Sequence, residues 1–365
     1  MYVCPQARQC VRHSTLAEGE MSYSNKELAS IYGSDSVSES RQPQVHVIMA
    51  AIKATMINST IFFMKLLSAQ SEEDIQHMNM RIMDSEEYEA SKKLWLECFD
   101  DDSREFTDWY YSARTKPDYA LGFFLDGCKT PIAMLHMLPM NMRFGKRAES
   151  ICFVSGVCTK PEYRGRGICG KLFEKAFDIM KNRGFAATVL QPFDTAFYER
   201  FGYRVFIKQK RIKLSVDRLN KLVLTHDDSF GTPDIPKADF LVKLYNESMR
   251  GYSGYSIRDR EYFIGFIDEY SMKDAELVIS PNGCCAGYAE GADGKTFHAT
   301  ELFFMPSSDY ASLLPKGYEE YIFPLPVCFK GGFDSDANIE DFSMIRPINE
   351  DFCFADASLY GFDRY

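Results

Sequence analysis

A regular alternation of apolar and polar positions sets in near residue 80. Residues 85–99 (SEEYEASKKLWLECF) place Tyr88, Ser91, Trp95 and Cys98 near one helical stripe, with acids in the first turn, and predict an amphipathic helix. Residues 119–125 and 131–140 are apolar runs on either side of Asp126-Gly127, the signature of a hairpin. Residues 151–159 read as another strand. Over 170–182, Leu172, Ala176 and Ile179 recur at helical spacing, and Gly184 stops the pattern as a helical cap would. Residues 185–190 form an uninterrupted apolar strand, and 194–201 a short helix. In 205–214, Val205, Ile207 and Gln209 alternate with basic neighbours, as on a half-buried strand.

The cluster of Pro, Gly and Asp at 225–237 (THDDSFGTPDIPK) marks a boundary inside a linker spanning 215–237. Beyond it, 238–249 and 259–269 read as helices, and 275–280 and 284–289 flank the turn Pro281-Asn282-Gly283. Further strands are expected near 296–304, 321–329 and 342–346. A helix followed by a hairpin opens both halves, which hints at a duplicated fold. The expected class is α/β: one domain over 80–214 and a second, smaller α/β domain over 238–365 with a short C-terminal segment.

Residues 1–79 read as a leader. The first 44 are polar and rich in Ser and Gln, without a period. Residues 45–69 resemble a membrane span, but Lys53 and Lys65 leave eleven uncharged residues between them, far short of the ~20 that a spanning helix needs. No short apolar segment follows a basic N-terminus, so a signal peptide is not expected. An amphipathic or partly buried helix and a natural start at Met78 or Met80 both stay open. Residues 1–75 are expected to be poorly packed and dispensable for activity.

Composition narrows the partners. With 365 residues, 45% hydrophobic and 26% charged, the chain is an ordinary globular one of about two domains. Its net charge of −10 speaks against a nucleic-acid binder and suits a cytoplasmic protein with cationic partners. The eleven cysteines contain no C-x-x-C pair, so reduced core thiols are expected rather than a disulfide framework or a metal site.

Chemistry concentrates in Val157–Lys171, where a strand ends, a basic glycine-rich loop turns and a helix begins. Glycines let the backbone approach a ligand, and the amides and dipole of a helix start favour an anion. With Arg164, Arg166 and Lys171 this builds a site for a phosphate or pyrophosphate; a plain surface turn with solvated basic residues is the competing reading. Gly165-x-Gly167-x-x-Gly170 also matches the dinucleotide fingerprint of an oxidoreductase. That fold, however, runs its strand almost directly into the first glycine and wants an acid about twenty positions on. Here the charged residues 160–165 intervene, and 185–191 are uncharged.

The order strand, P-x-x-R-G-x-G, helix, apolar strand, then Phe197-Tyr198-Glu199-Arg200-Phe201-Gly202-Tyr203 resembles the GNAT superfamily of acetyltransferases, and the two-part layout resembles its Eis-type (enhanced intracellular survival) members. The resemblance is best over residues 80–206. It implies a GNAT fold, with a mixed central sheet flanked by helices, followed by a second GNAT-like domain. It also implies an acyl-CoA-dependent N-acetyltransferase that moves an acetyl group from acetyl-CoA to a primary amine by direct attack. The acceptor class would be a small polyamine- or aminoglycoside-like molecule or a lysine side chain. Acetyl-CoA would lie along Val157, Cys158 and Thr159 and along Arg164, Gly165, Arg166, Gly167, Ile168, Cys169 and Gly170, with further contacts matching Phe193 and Asp194. Tyr198 matches the general acid, and the C-terminal carboxylate of Tyr365 matches the general base by position alone. Glu149, Glu301 or a water chain are rivals for that role. Family members also carry a third, sterol-carrier-like domain, for which too few residues remain here. Eis-type relatives commonly assemble into hexamers, so a homo-oligomer is expected, with no metal, nucleic acid or membrane partner. The alternative function is a non-catalytic CoA-binding or protein-interaction module.

Overall fold

The computed structural model describes residues 78–221, 237–271, 275–290, 293–305, 310–329 and 337–353. Residues 1–77 of the expected leader, residues 222–236 of the expected linker and Tyr365 lie outside them. The first half runs β1 (Met78–Ile82), α1 (Ser85–Cys98), α2 (Arg104–Ala113), β2 (Ala120–Leu125), β3 (Ala133–Phe144), β4 (Arg147–Thr159), α3 (Ile168–Asn182), β5 (Ala187–Leu190), α4 (Thr195–Glu199) and β6 (Arg204–Ser215). The second runs α5 (Val216–Asn220), α6 (Lys237–Ser248), β7 (Tyr255–Ser256), α7 (Arg260–Glu269), β8 (Ala275–Ser280), β9 (Gly283–Glu290), β10 (Thr296–Phe304), β11 (Glu320–Pro326) and β12 (Ala337–Pro347). Met78 and Asn79 thus belong to the first strand, and α5 occupies the start of the stretch read as linker.

Local sequence explains where the helices start. Asp84 caps α1 by accepting from the amides of Glu86 and Glu87, and the Glu87 carboxylate answers with a bond to the Asp84 amide, a capping box. Ser103 caps α2 through the Phe106 amide. The helix α2 has no counterpart in the sequence reading, because its buried face is only Thr107, Tyr110 and Tyr111. Packing against α1 supplies what periodicity lacks: the Ser91 hydroxyl lies 2.9 Å from Tyr111 Oη, and Tyr88 Oη donates to the Tyr111 carbonyl.

All twelve strands join one sheet in the order β1-β2-β3-β4-β5-β12-β6-β11-β10-β9-β8, with β7 added to β3. The two halves exchange strands. In the first, β4 and β5 are parallel, and β12, the last strand among the described residues, lies antiparallel between β5 and β6. In the second, β10 and β11 are parallel, and β6 lies antiparallel between β11 and β12. Burial holds the exchanged strands: Phe206, Ile207, Ile212, Leu214, Met344 and Ile345 are all buried, each worth roughly 1.5–3 kcal/mol. Charges pair between neighbouring strands, Lys208 with Asp341 and Lys213 with Glu320, both at 3.0 Å. Among the described residues no helix is long and apolar enough to cross a membrane.

Candidate active site

The site begins where the sheet opens. The β4–β5 ladder runs from Ile151↔Ala187 to Phe153↔Val189, but β4 continues to Thr159 while β5 ends at Leu190. Among the described residues, no strand pairs with β4 on that side beyond Phe153. The other side is bulged: Met134 of β3 pairs with Cys158, and His136 with Ser155, so β4 carries one residue more. Gly156 sits in this bulge with φ 60°. A Cβ there would lie 2.7 Å from the Trp95 ring and 3.1 Å from His136 Nδ1, so only glycine fits. The sequence reading passed over Gly156, although an isolated glycine inside a strand is the usual mark of a bulge. Val157 and Thr159 are half-buried on the opened stretch. The Cys158 side chain turns into the α1–α2 core, leaving its backbone on the strand.

Beyond β4, a 3₁₀ turn (Pro161–Tyr163) leads to Arg164, whose Nε donates to the Thr159 carbonyl at 3.0 Å and ties the loop to the strand end. Arg166 lies over the Tyr163 ring at 5.3 Å, and Lys171 is exposed. Gly165 and Gly167 have φ 76° and 73°, and a Cβ on either would meet nothing within 4 Å. The glycines therefore serve the backbone turn. Gly167 starts α3 and no side chain caps that start; the first amides of a helix then need an acceptor from outside. Ile168 is buried beneath this turn, while Cys169 and Gly170 are half-buried. A Cβ at Gly170 would make only an ordinary contact, 3.7 Å from the Phe201 ring.

Because β4 and β5 are parallel, their C-terminal ends lie at one edge of the sheet, and so do the segments that follow them. The glycine turn follows β4, and α4, carrying Tyr198, follows β5. Asp194 caps α4 through the Ala196 amide, and Phe193 packs 5.4 Å from the Tyr198 ring. Tyr198 is buried, with Phe173 of α3 at 6.1 Å and Tyr203 at 6.2 Å. At the end of this turn Gly202 has φ 80°, and its missing Cβ makes room for Arg346 of β12. The two sequence motifs meet through Phe173 and Phe201, stacked at 4.6 Å.

The rivals for the base fare differently. Tyr365 lies outside the described residues. Glu149 lies beside Arg147 at 3.4 Å, eight residues before Val157 on β4. Glu301 is held by both guanidinium nitrogens of buried Arg258, at 3.0 and 3.2 Å. His136 is stacked on Trp95 and Tyr110, both at 5.7 Å, with Nδ1 3.0 Å from Tyr110 Oη and no partner for Nε2 among the described residues. Burial drives its pKa down to about 3, so the imidazole stays neutral. Met134, Met137, Met140 and Met142 are all core residues.

The opened parallel pair, the glycine turn and the tyrosine helix fall within a stretch that a known family describes. Residues 79–206 match the family model of the acetyltransferase (GNAT) domain, about a third of the chain, and this stretch is a GNAT domain. No curated protein matches the chain. Solved structures with the same fold include a GCN5-related N-acetyltransferase from Anabaena variabilis, with a TM-score of 0.59 and 16% identity over 74% of this chain and 73% of that one. A GCN5-related N-acetyltransferase from Kribbella flavida gives 0.56 and 15%, over 74% and 71%. Eis1 from Mycobacterium abscessus gives 0.55 and 14%, over 74% and 73%. These coverages exceed the span of the GNAT domain model, so the likeness in fold takes in part of the second half.

Proposed function

We propose that this protein is an Eis-like N-acetyltransferase that moves an acetyl group from acetyl-CoA to a primary amine. The acceptor is a small polyamine- or aminoglycoside-like molecule or a lysine side chain. One observation carries the reading: a strand edge that no described strand pairs and an uncapped, glycine-opened helix start lie at the same end of one parallel pair, with Tyr198 packed on Phe173 of that helix. The strand edge suits the amide-rich arm of the carrier, and the helix start suits its diphosphate. GNAT family membership of residues 79–206 supports acetyl transfer in general, and the net charge of −10 suits a cationic acceptor.

In this mechanism the amides of α3 and the charges of Arg166 and Lys171 hold the diphosphate, and Arg164 fixes the loop to the end of β4. Backbone amides of Val157–Thr159 stabilise the negative charge that develops on the thioester oxygen. The neutral amine attacks the carbonyl carbon; a C–N bond forms and the C–S bond breaks. The Tyr198 hydroxyl delivers a proton to the departing thiolate, and the carboxylate of Tyr365 takes one from the amine. A cytoplasmic location and assembly into a homo-oligomer belong to the same reading. Calorimetry with acetyl-CoA, followed by release of free thiol with a panel of amines, tests it. Saturable uptake and amine-dependent thiol release are expected. Uptake without turnover on any amine would make the protein a CoA-binding module, and no uptake would end the reading.

A further inference from the structure

The strand that the second half lends to the first carries a side chain into the turn that ends the tyrosine helix. Arg346 of β12 stands opposite Thr188 of β5, and its neighbour Ile345 pairs with Arg204 at the start of β6. The side chain lies against Gly202: a Cβ on that glycine would stand 3.1 Å from Arg346 Nε and 3.6 Å from its Cδ. The guanidinium lies over the Phe177 ring of α3 at 3.8 Å. Among the described residues no carboxylate pairs with it; Nη1 donates to the Pro347 carbonyl at 3.5 Å. Arg346 thus touches both the helix that begins at the glycine turn and the turn behind Tyr198. That turn holds the Tyr198 backbone. The Tyr198 carbonyl accepts from the amides of Phe201 at 3.0 Å and Tyr203 at 3.3 Å, and the Gly202 amide donates to the Glu199 carbonyl at 2.9 Å. The Tyr203 ring packs on Tyr198 at 6.2 Å and on Phe177 at 6.1 Å. With five residues, α4 is too short to stand on its own hydrogen bonds, so its place is set by what packs on it.

We infer that Arg346 is a positioning residue for Tyr198, supplied to the first half by a strand of the second. Its stem fills the gap that Gly202 leaves, and its cation fastens the turn to the Phe177 face. The helix α4 is thereby kept at one distance from α3. A general acid must bring its proton within hydrogen-bond reach of the leaving atom, and a misplacement of about 1 Å can cost roughly 10²-fold in rate. Arg346 acts through the Gly202–Tyr203 turn, not on the substrate. By this route the chemistry of the first half depends on the last strand of the second. The inference rests on the acid role that the acetyl-transfer reading gives to Tyr198.

A double-mutant cycle on the full chain tests it. Thiol release gives kcat and calorimetry gives acetyl-CoA affinity for the wild type, Arg346→Ala, Tyr198→Phe and the double variant, each corrected for the folded fraction from urea denaturation. Arg346→Ala is expected to lower kcat by roughly tenfold, to leave acetyl-CoA affinity within about twofold, and to add no further loss to Tyr198→Phe. Wild-type kcat in Arg346→Ala, or an equal loss in both backgrounds, overturns the inference. Arg346→Met keeps the stem against Gly202 and is the milder change for folding; it runs through the same cycle, with a smaller loss expected and the same two results counting against the inference. Fluorine NMR on the chain labelled with fluorotyrosine reads the placement without turnover. The Tyr198 signal, assigned by its absence in Tyr198→Phe, is expected to shift in Arg346→Ala, and an unmoved signal overturns the positioning. If the wild type takes up no acetyl-CoA, the acetyl-transfer reading fails while the NMR result for Arg346 and Tyr198 stands.

Discussion

Each half of the sheet sets a parallel pair against a strand lent by the other half, β4–β5 against β12 and β10–β11 against β6. Each pair opens after a few residues, at Phe153↔Val189 and at His298↔Ile322, and each carries a register shift on its longer strand, around Gly156 and Thr300. The halves part company in what fills the opening. In the first, 27 residues connect the pair and include α3; in the second, 15 do, and among the described residues they hold only a 3₁₀ turn (Tyr310–Leu313). The Tyr310 ring packs against Phe304, Phe323 and Phe329 at 5.1, 6.2 and 5.4 Å. Behind the second bulge, Arg258 and Glu301 are locked together between the rings of Tyr245 and Tyr262. Where the first connection holds a full helix start, the described part of the second holds a ring that packs among other aromatic rings.

The difference can be broken or sharpened by substitution. Tyr198→Phe is expected to lower turnover by roughly 10²–10⁴-fold while acetyl-CoA binding stays unchanged; thiol-release kinetics beside calorimetry check this, and wild-type turnover removes Tyr198 from the mechanism. In the second half the largest effect should fall on stability alone. Glu301→Ala strands the Arg258 charge in the core and is expected to cost about 3–5 kcal/mol by urea denaturation, with the affinity of the folded fraction unaltered. Arg164→Ala, which frees the loop from the Thr159 carbonyl, should weaken acetyl-CoA binding by roughly 10–100-fold. The same titration of the wild type should give one site per chain, and a second equivalent site would abolish the contrast between the halves. Gly156→Ala combines a positive φ with a clash against Trp95, and about 2 kcal/mol or more of lost stability is expected.

The smallest effect is a pH slope near the first bulge. Asp102 accepts from Trp95 Nε1 at 2.8 Å; burial is the main cause that lifts its pKa from 3.8 to about 6, against that hydrogen bond. The folded chain therefore binds this proton more tightly than the unfolded chain, and stability tied to Asp102 falls as pH rises from 3.8 to about 6. Buried His136 slopes the other way, since its imidazole resists protonation and stability is lost as pH falls below 6.5 toward about 3. Asp102→Asn keeps an acceptor for Trp95 and should remove the first slope, so its stability relative to wild type should rise through that window by no more than about 3 kcal/mol. A flat difference in denaturation free energy would show that Asp102 titrates as an exposed acid does.

Much of the first half was legible. The stripe of Tyr88, Ser91, Trp95 and Cys98 became the buried face of α1, and the spacing of Leu172, Ala176 and Ile179 lies within α3. The pairing of a glycine turn with a later F-Y-x-x-x-G-Y turn pointed to the end of the sheet where Gly167 and Tyr198 both stand. Less legible was the exchange of β6 and β12, because nothing in either strand's own alternation names its neighbours. The pairing of Glu301 was hidden for the same reason: its partner Arg258 lies 43 residues away. The helix α2 was readable only through what packs on it.

The sequence by itself determined the elements, their amphipathic faces and the chemistry of the glycine turn, since periodicity, capping residues and positive-φ glycines act over a few neighbours along the chain. Tertiary structure alone decided which strands pair, that Tyr310 packs against Phe304, Phe323 and Phe329 in the second half, and that Glu301 meets Arg258. Those outcomes depend on side chains far apart in the chain competing for the same space, and local pattern carries no record of that competition.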